Sequence, residues 1–167
     1  MGRTYTLREE IVVHAPAERC FLLSTCVEIV QLDLRMRPVG GRTSGLVVSG
    51  DTVLWKGWKL GLPQFHESLI ERFEPPVFFR DRMIAGRFAS FEHEHSFTDR
   101  GDGNVMLSDE LRFTIPFGWP GSLIGRWMLV PDIRRLLRRR FARLKRIAES
   151  EEWRMYLPEA SGGVASQ

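Results

Sequence analysis

The feature that most constrains the fold is a two-residue alternation of polarity that runs through residues 89–97 and 104–115. In the second stretch the odd-numbered residues are apolar, with Asp109 as the exception, and the even-numbered residues are mostly polar. Successive side chains of a β-strand point to opposite faces of a sheet, so the pattern predicts two strands that each bury one face. In the first stretch His93 and His95 share the parity of the phenylalanines, which predicts that both point inward.

The segment Gly101-Asp102-Gly103 between the two stretches predicts a β-hairpin. Residues directly opposite each other in a hairpin share a face, so odd-numbered residues must oppose odd-numbered ones. A three-residue loop of this sequence pairs Phe97 with Leu107, His95 with Asp109, His93 with Leu111 and Phe91 with Phe113. A register shifted by two residues would set Asp109 opposite His93 instead. Both registers place a carboxylate beside an inward histidine, and the first makes His95 its partner.

The remaining periodicities predict an α+β order of elements. We expect a strand at 5–13, one or two short helices at 16–34, a loop at 35–45, strands at 46–60, 64–74, 77–86, 87–99 and 104–115, and a long amphipathic helix at 123–148. The turn signal at 49–51 should divide the first of the middle strands into a hairpin, and Pro131 should bend or interrupt the long helix. Strands without helices between them favour an antiparallel meander, whose buried face the long helix can cover.

The composition is typical of one globular domain. A chain of 167 residues falls in the single-domain range, and 11 Phe and 5 Trp supply bulky side chains for a core or a pocket. No apolar run of the sequence approaches the roughly 20 residues of a membrane span, and the opening MGRTYTLREE is too polar for a signal peptide, so we predict a cytoplasmic protein. Cys20 and Cys26 lack the spacing of a structural zinc site and are predicted to be free thiols.

Several short motifs and the order of elements resemble the START/SRPBCC superfamily, which includes birch-pollen-allergen-like proteins, lipid-transfer domains and polyketide aromatase/cyclases. More narrowly, the chain resembles a bacterial ligand-binding subfamily of that group. The matching stretches are IVVHAPAERCF at 11–21, FRDRMIAGRF at 79–88, FEHEHSF at 91–97, Asp109, and IPFG at 115–118. Two departures concern the shape of the pocket: the segment 27–34 lacks the family's usual Asn-Leu, and Arg87 stands where proline is common.

The resemblance implies a helix-grip fold, in which a curved antiparallel sheet wraps around a long C-terminal helix and two short helices follow the first strand. The implied domain covers residues 1–155, and a flexible tail is expected at 156–167. The family's cavity between sheet and C-terminal helix would take a hydrophobic or amphipathic small molecule such as a lipid, a polyketide or an aromatic metabolite. We expect ligand contacts from Phe91, His93, His95, Phe97, Asp109, Leu111, Phe113 and Trp127.

The inward His/Asp set allows three interpretations. Asp109 can fix the tautomer of His95, which would then serve a cyclase-like or dehydratase-like enzyme as general acid and base. His93, His95 and Asp109 could also form a two-histidine, one-carboxylate metal site, but we predict neither a metal nor a cofactor, since related cavities resemble ligand binders without metals. The simplest interpretation is a hydrogen bond that satisfies buried polar atoms and orients a ligand, so we favour binding over catalysis.

Basic residues crowd one face of the predicted long helix. Eight of them, and no acidic residue, lie between residues 134 and 146. Such a surface can attract nucleic acid or an anionic membrane. No aromatic residues interleave with these side chains on the predicted exposed face, so we interpret the arginines as the solvated side of the helix and predict no nucleic-acid partner. Arg80 and Arg82, which share one face of their strand opposite Asp81, are likewise interpreted as surface residues.

Overall fold

The computed structural model describes residues 2–59, 61–116 and 125–157, and within them seven antiparallel strands form one sheet. The strands are β1 (Arg3–Val13), β2 (Arg37–Gly41), β3 (Thr52–Lys59), β4 (Leu62–Glu74), β5 (Phe78–Gly86), β6 (Ser90–Gly101) and β7 (Asn104–Ile115). Their spatial order is β1-β7-β6-β5-β4-β3-β2. Apart from the β1–β7 pair, every neighbour in the sheet is also a neighbour in sequence, which is the predicted meander.

Two short helices, α1 (Ala17–Ser24) and α2 (Val27–Leu34), follow β1, and the long helix α3 (Val130–Glu149) follows the last strand. Pro16 precedes α1, at a helix start where a missing N–H costs nothing. Pro131 was predicted to bend or interrupt the long helix, but it does not lie in the helix interior. It lies in the first turn of α3, where proline is tolerated, and a π-helical turn at Gly125–Leu129 precedes it.

One face of α3 packs against the sheet. Ile133, Leu137, Phe141 and Leu144 are buried on that face, and Phe141 and Leu144 share a core cluster with Phe97 of β6. Burial of each such side chain contributes about 1.5–3 kcal/mol, so this contact is a major part of the stability. The curved sheet gripping a long C-terminal helix confirms the predicted α+β helix-grip fold.

The β6–β7 hairpin has the predicted register. Phe97 pairs with Leu107, His95 with Asp109, His93 with Leu111 and Phe91 with Phe113. The turn itself is tighter than the predicted three residues, because Asp102 and Gly103 form it with φ of 55° and 75°. A register irregularity between Asp99 and Gly101 supplies the extra residue and restores the predicted pairing.

The far edge of the sheet differs from the structure that the sequence predicts. The segment 35–45 was expected to be a loop, but it contains β2, which pairs with β3. Pro38 is compatible with this position because an edge strand has one side that pairs with no other strand. The predicted strand at 46–60 begins instead at Thr52, and of the residues before it Leu46 forms an isolated bridge to Cys26. The hairpin expected at 49–51 does not exist.

The resemblance implies that the domain ends at residue 155 and that a flexible tail follows at 156–167. A 3₁₀ helix (Glu151–Met155) leads to Leu157, which is 5% exposed and belongs to the main core cluster. The rest of the expected tail lies outside the described residues. Among the helices that the structure describes, none is long and apolar enough to cross a membrane.

Candidate functional site

A cavity of about 580 Å³ lies between the sheet and the helices α2 and α3. Its walls are largely apolar and include Val27 and Val47, Val53, Trp55 and Ile70. One end is polar, where Asp81, His93 and His95 reach the surface of the cavity. Other titratable side chains also line the cavity, among them Asp33, His66 and Asp132, so its largely apolar wall carries several polar groups.

The predicted ligand contacts divide into two groups. Phe91, His93, His95 and Leu111 line the cavity. The others are not among the lining residues that the structure describes: Phe97 and Phe113 are 4% and 0% exposed and pack in core clusters, Asp109 is 2% exposed behind the histidines, and Trp127 is 71% exposed. Trp127 lies in the π-helical turn before α3, and the guanidinium of Arg126 lies 5.6 Å from the centroid of its ring.

Asp109 contacts both histidines. Its Oδ1 lies 2.9 Å from Nδ1 of His95, as the hairpin register predicts, and both side chains are 3% exposed. Its Oδ2 lies 3.3 Å from Nε2 of His93. The geometry of this second contact is not that of a hydrogen bond, so His93 Nε2 is a buried polar atom without a hydrogen-bond partner in the described part of the chain. One carboxylate thus faces a ring nitrogen of each histidine.

A second carboxylate, which the sequence analysis missed, approaches the same histidines from the other side. Asp81 pairs with His93 across the β5–β6 ladder. Its Oδ1 lies 3.2 Å from Nε2 of His95 and 3.9 Å from Nδ1 of His93. Asp81, His93, His95 and Asp109 are called the His/Asp cluster below. Parity could have found Asp81, because it lies two residues after Phe79 and so shares its face of β5, and the bulky apolar side chain of Phe79 marks that face as the inward one.

The ring of Phe79 fixes one face of His95. The two rings stack with centroids 4.1 Å apart and an interplanar angle of 20°. The ring of His93 also contacts His95, with centroids 3.9 Å apart and an interplanar angle of 46°. With both nitrogens held by carboxylates and one face held by Phe79, His95 has one well-defined orientation.

Arg140 of α3 lies beneath the His/Asp cluster, although it was interpreted as a surface residue. It is 5% exposed, and its Nε donates to Oδ2 of Asp109 at 3.3 Å. Its Nη1 lies 3.7 Å from Oδ2 of Asp33 on α2, and Arg143 forms a second ion pair with Asp33. The reason for the correction is helical spacing: Arg140 follows Leu136 and Leu137 by four and three residues, so it falls on the apolar stripe and turns inward.

Electrostatics at the His/Asp cluster favours a positive charge at His95. Burial alone would lower the pKa of His95, but the carboxylates of Asp109 and Asp81 raise it above its usual value. Burial lowers the pKa of His93, and the neighbouring His95 lowers it further. Burial would raise the pKa of Asp109, but His95 and His93 hold that pKa well below its usual range. Burial would raise the pKa of Asp81, but the hydrogen bond to His95 and the charges of His93, His95 and His66 together lower it.

Comparison with known proteins identifies the fold. No family model and no curated protein matches the sequence. A protein of unknown function from Staphylococcus aureus superposes with a TM-score of 0.71 at 10% identity, over 90% of this chain and 97% of that one. A START superfamily protein from Mycobacterium smegmatis gives 0.62 at 12% identity, over 85% and 98%. Norcoclaurine synthase from Thalictrum flavum, in complex with dopamine and hydroxybenzaldehyde, gives 0.62 at 10% identity, over 89% and 90%.

These likenesses establish the class of fold. The chain has the helix-grip fold of START/SRPBCC proteins, as its motifs predicted. Identities of 10–12% show the fold alone, and function must be argued from the cavity and the His/Asp cluster.

Proposed function

We propose that the protein binds a hydrophobic or amphipathic small molecule in the cavity between the sheet and α3. The observation that carries the proposal is the cavity itself, which at about 580 Å³ falls in the range of small-molecule sites, roughly 300–1,000 Å³. Apolar walls would enclose the body of the ligand, and the polar end would select its orientation. The complex of norcoclaurine synthase with dopamine and hydroxybenzaldehyde supports small aromatic molecules as one ligand class for this fold.

The polar end of the cavity favours a ligand group that donates hydrogen bonds. The side chain of Asp81 is 17% exposed and that of Asp109 is 3% exposed, so of the two carboxylates beside the histidines Asp81 is the one that a ligand can reach. A hydroxyl or an amine would suit its acceptor oxygens. Ser68 also lines the cavity and could contribute a hydroxyl. We therefore expect ligands with an apolar body and one donor group.

An acid-base enzyme is the second candidate, and one observation favours it. His95 lies between Asp81 and Asp109, so a proton can pass between the cavity and the interior through its two ring nitrogens. The low exposure of His95 and Asp109 argues against direct contact with a substrate. Chemistry at this site would act through Asp81 or His93, and for that reason binding remains the leading proposal.

The basic face of α3 gives less support to an anionic partner than the sequence suggested. Six of its eight basic side chains pair with carboxylates within the described part of the chain. The pairs are Arg134 and Arg138 with Glu9, Arg140 with Asp109 and Asp33, Arg143 with Asp33, Lys145 with Glu149, and Arg146 with Glu152. Internal pairing lowers the positive potential available to phosphates.

Binding can be tested with the fluorescent probe anilinonaphthalene sulfonate, and native mass spectrometry can identify a ligand that purification from the host retains. Leu136 lines the cavity, whereas Leu32 is an exposed leucine on α2 outside it. Leu136→Trp would narrow the cavity and should weaken probe binding by about tenfold or more. Leu32→Trp, the matched control, should bind as the wild type does. Equal affinity in all three proteins would show that the probe binds elsewhere and would contradict the proposal.

An incubation with the same retained ligand distinguishes a binding protein from an enzyme. The protein is incubated with it, and the mass of the small molecule is followed over time. An unchanged mass supports a binding protein. A mass change that His95→Asn abolishes, while Leu32→Trp retains it, would instead support the enzyme.

A further inference from the structure

Three side chains at the polar end of the cavity lie close enough to share one ion. Asp81, His93 and His95 each offer a ligand atom within 4.8 Å of the other two. Oδ1 of Asp81 is 3.2 Å from Nε2 of His95 and 3.9 Å from Nδ1 of His93. Ligand atoms bonded about 2.1 Å from a metal at tetrahedral or octahedral angles are roughly 3.0–3.4 Å apart. We propose that these three residues bind a divalent transition-metal ion.

Asp109 supports the same assignment from the opposite side of the rings. Histidine ligands usually donate the other ring N–H to a carboxylate, which fixes the tautomer and leaves a lone pair for the metal. Asp109 Oδ1 lies 2.9 Å from Nδ1 of His95, so an N–H there donates to Asp109, and a metal ion that displaces the proton on Nε2 would take the lone pair of that atom. For His93, Asp109 Oδ2 lies 3.3 Å from Nε2, the buried atom without a hydrogen-bond partner in the described chain. A small rotation of this ring would complete the second such contact.

The balance of charges around the site also favours a bound cation. Arg140 forms an ion pair with Asp109 at 3.3 Å and so balances its negative charge. Arg140 and Arg143 both form ion pairs with Asp33. Within the described residues, the ion pairs of Asp81 are with His93 and His95. Binding of a metal ion would displace the proton that Nε2 of His95 directs at Asp81, which leaves both imidazoles neutral and Asp81 without a permanently charged partner from those residues. A bound divalent ion would compensate that carboxylate.

The ligand chemistry selects the class of metal. Two imidazoles and one carboxylate suit Zn²⁺, Fe²⁺ or Co²⁺, whereas Ca²⁺ and Mg²⁺ prefer oxygen ligands throughout. Asp81, His93 and His95 all line the cavity, so the remaining coordination positions face its open volume. The metal would thus give an oxygen or nitrogen of the bound molecule a direct partner. No metal was predicted from the sequence, since related cavities resemble ligand binders without metals, and the carboxylate considered with the histidines there was Asp109 rather than Asp81.

The test uses full-length protein that has been treated with EDTA and dialysed, then titrated with Co²⁺. We expect one equivalent of Co²⁺ to develop visible absorption of a four- or five-coordinate ion, and one equivalent of Zn²⁺ to abolish it. Asp81→Asn and His93→Gln should each lose this spectrum. His14→Gln is the matched control, because His14 is an exposed histidine between β1 and α1 and should bind as the wild type does.

Asp109→Asn tests the supporting carboxylate separately. Loss of such a partner typically weakens metal binding by about 10–100-fold. Circular dichroism establishes which variants are folded, and the thermal midpoint should rise with Zn²⁺ in the wild type but not in Asp81→Asn. Absence of the Co²⁺ spectrum in the wild type, or its persistence in both Asp81→Asn and His93→Gln, would overturn the metal site.

Failure of this inference is distinguishable from failure of the proposed function. Binding of anilinonaphthalene sulfonate is measured in EDTA-treated protein, where no metal is present, and the cavity variant Leu136→Trp leaves Asp81 and both histidines intact. Probe binding without Co²⁺ binding would reject the metal alone. Co²⁺ binding without probe binding would retain the metal and reject the small-molecule proposal.

Discussion

Oδ1 of Asp109 and Nδ1 of His95 lie 2.9 Å apart at directly opposite positions of the β6–β7 hairpin, and both side chains are almost fully buried. Backbone pairing brings these two residues together, since the register leaves their side chains on one face of the sheet. Arg140 then reaches Asp109 from α3, so the carboxylate joins the sheet to the long helix. Removal of its charge should therefore affect the stability of the whole domain.

Asp109→Asn keeps the shape of the side chain and removes its charge. We expect the free energy of unfolding to fall by about 3 kcal/mol, because Arg140 would lose one of its buried partners and the histidines would lose their common carboxylate. Urea denaturation followed by circular dichroism measures the change. Asp102→Asn is the control, since Asp102 is exposed in the turn at φ 55°, a conformation that asparagine tolerates. Equal stability of the two variants would contradict a role for Asp109 in joining helix and sheet.

Arg140→Met tests the same junction from the helix. The substitution leaves Asp109 without its arginine and weakens the surroundings of Asp33, so we expect a loss of about 3 kcal/mol in the free energy of unfolding. Arg135→Met, at an exposed position of α3, should change it by about 0.5 kcal/mol or less. Chemical denaturation compares them. Equal stability of Arg140→Met and Arg135→Met would contradict the prediction, since it would mean that apolar packing can replace the buried ion pairs without loss of stability.

The two cysteines should react slowly in the folded protein. Burial raises the pKa of Cys20 to about 12, and burial together with the hydrogen bond to Glu28 raises the pKa of Cys26 to about 11. The thiolate is the reactive form, so at pH near 8 its population is far smaller than in the unfolded chain. We expect alkylation by iodoacetamide to be on the order of 100-fold slower in buffer than in urea. Similar rates in both solvents would show that the thiols are accessible in the native state.

The edge strand β2 can be tested at its last residue. Gly41 has φ 68°, and a Cβ there would overlap the carbonyl oxygen of Thr52 in β3. Gly45 has a similar φ of 74° but faces open space in the described structure. Gly45→Ala should cost about 1–2 kcal/mol from backbone strain alone, and Gly41→Ala should cost clearly more because a clash adds to the strain. Thermal or urea unfolding ranks the two. Equal losses would contradict the described pairing of β2 with β3.

The parts of the site that arise from local pattern were predictable. Alternation fixed the inward face of β6 and β7, and the turn chemistry selected the register that sets His95 opposite Asp109. Asp81 was missed although it obeys the same alternation, because flanking arginines gave its segment the appearance of a charged surface strand. Arg140 was missed because it lies among seven other basic residues, while its spacing from Leu137 already placed it on the apolar stripe.

Other features depend on contacts between segments far apart in the chain. Asp33 lies in the last turn of α2 with no local pattern that marks it, and its partners Arg140 and Arg143 lie more than a hundred residues later. The edge strand β2 exists because β3 offers it a partner, whereas its own proline and glycines are typical of a loop. Single-sequence periodicity contains no information on either pairing.

Arg140 also determines how α3 is aligned along the sheet. An apolar stripe of leucines could fit the sheet almost as well after a slide of one helical turn, about 5.4 Å. Such a slide would bring Leu136 or Leu144 beneath Asp109 and would leave two aspartates and an arginine buried without their partners. Because unpaired buried charges are strongly unfavourable, we expect the domain to populate a single docking position of its long helix, with the volume of the cavity determined by that position.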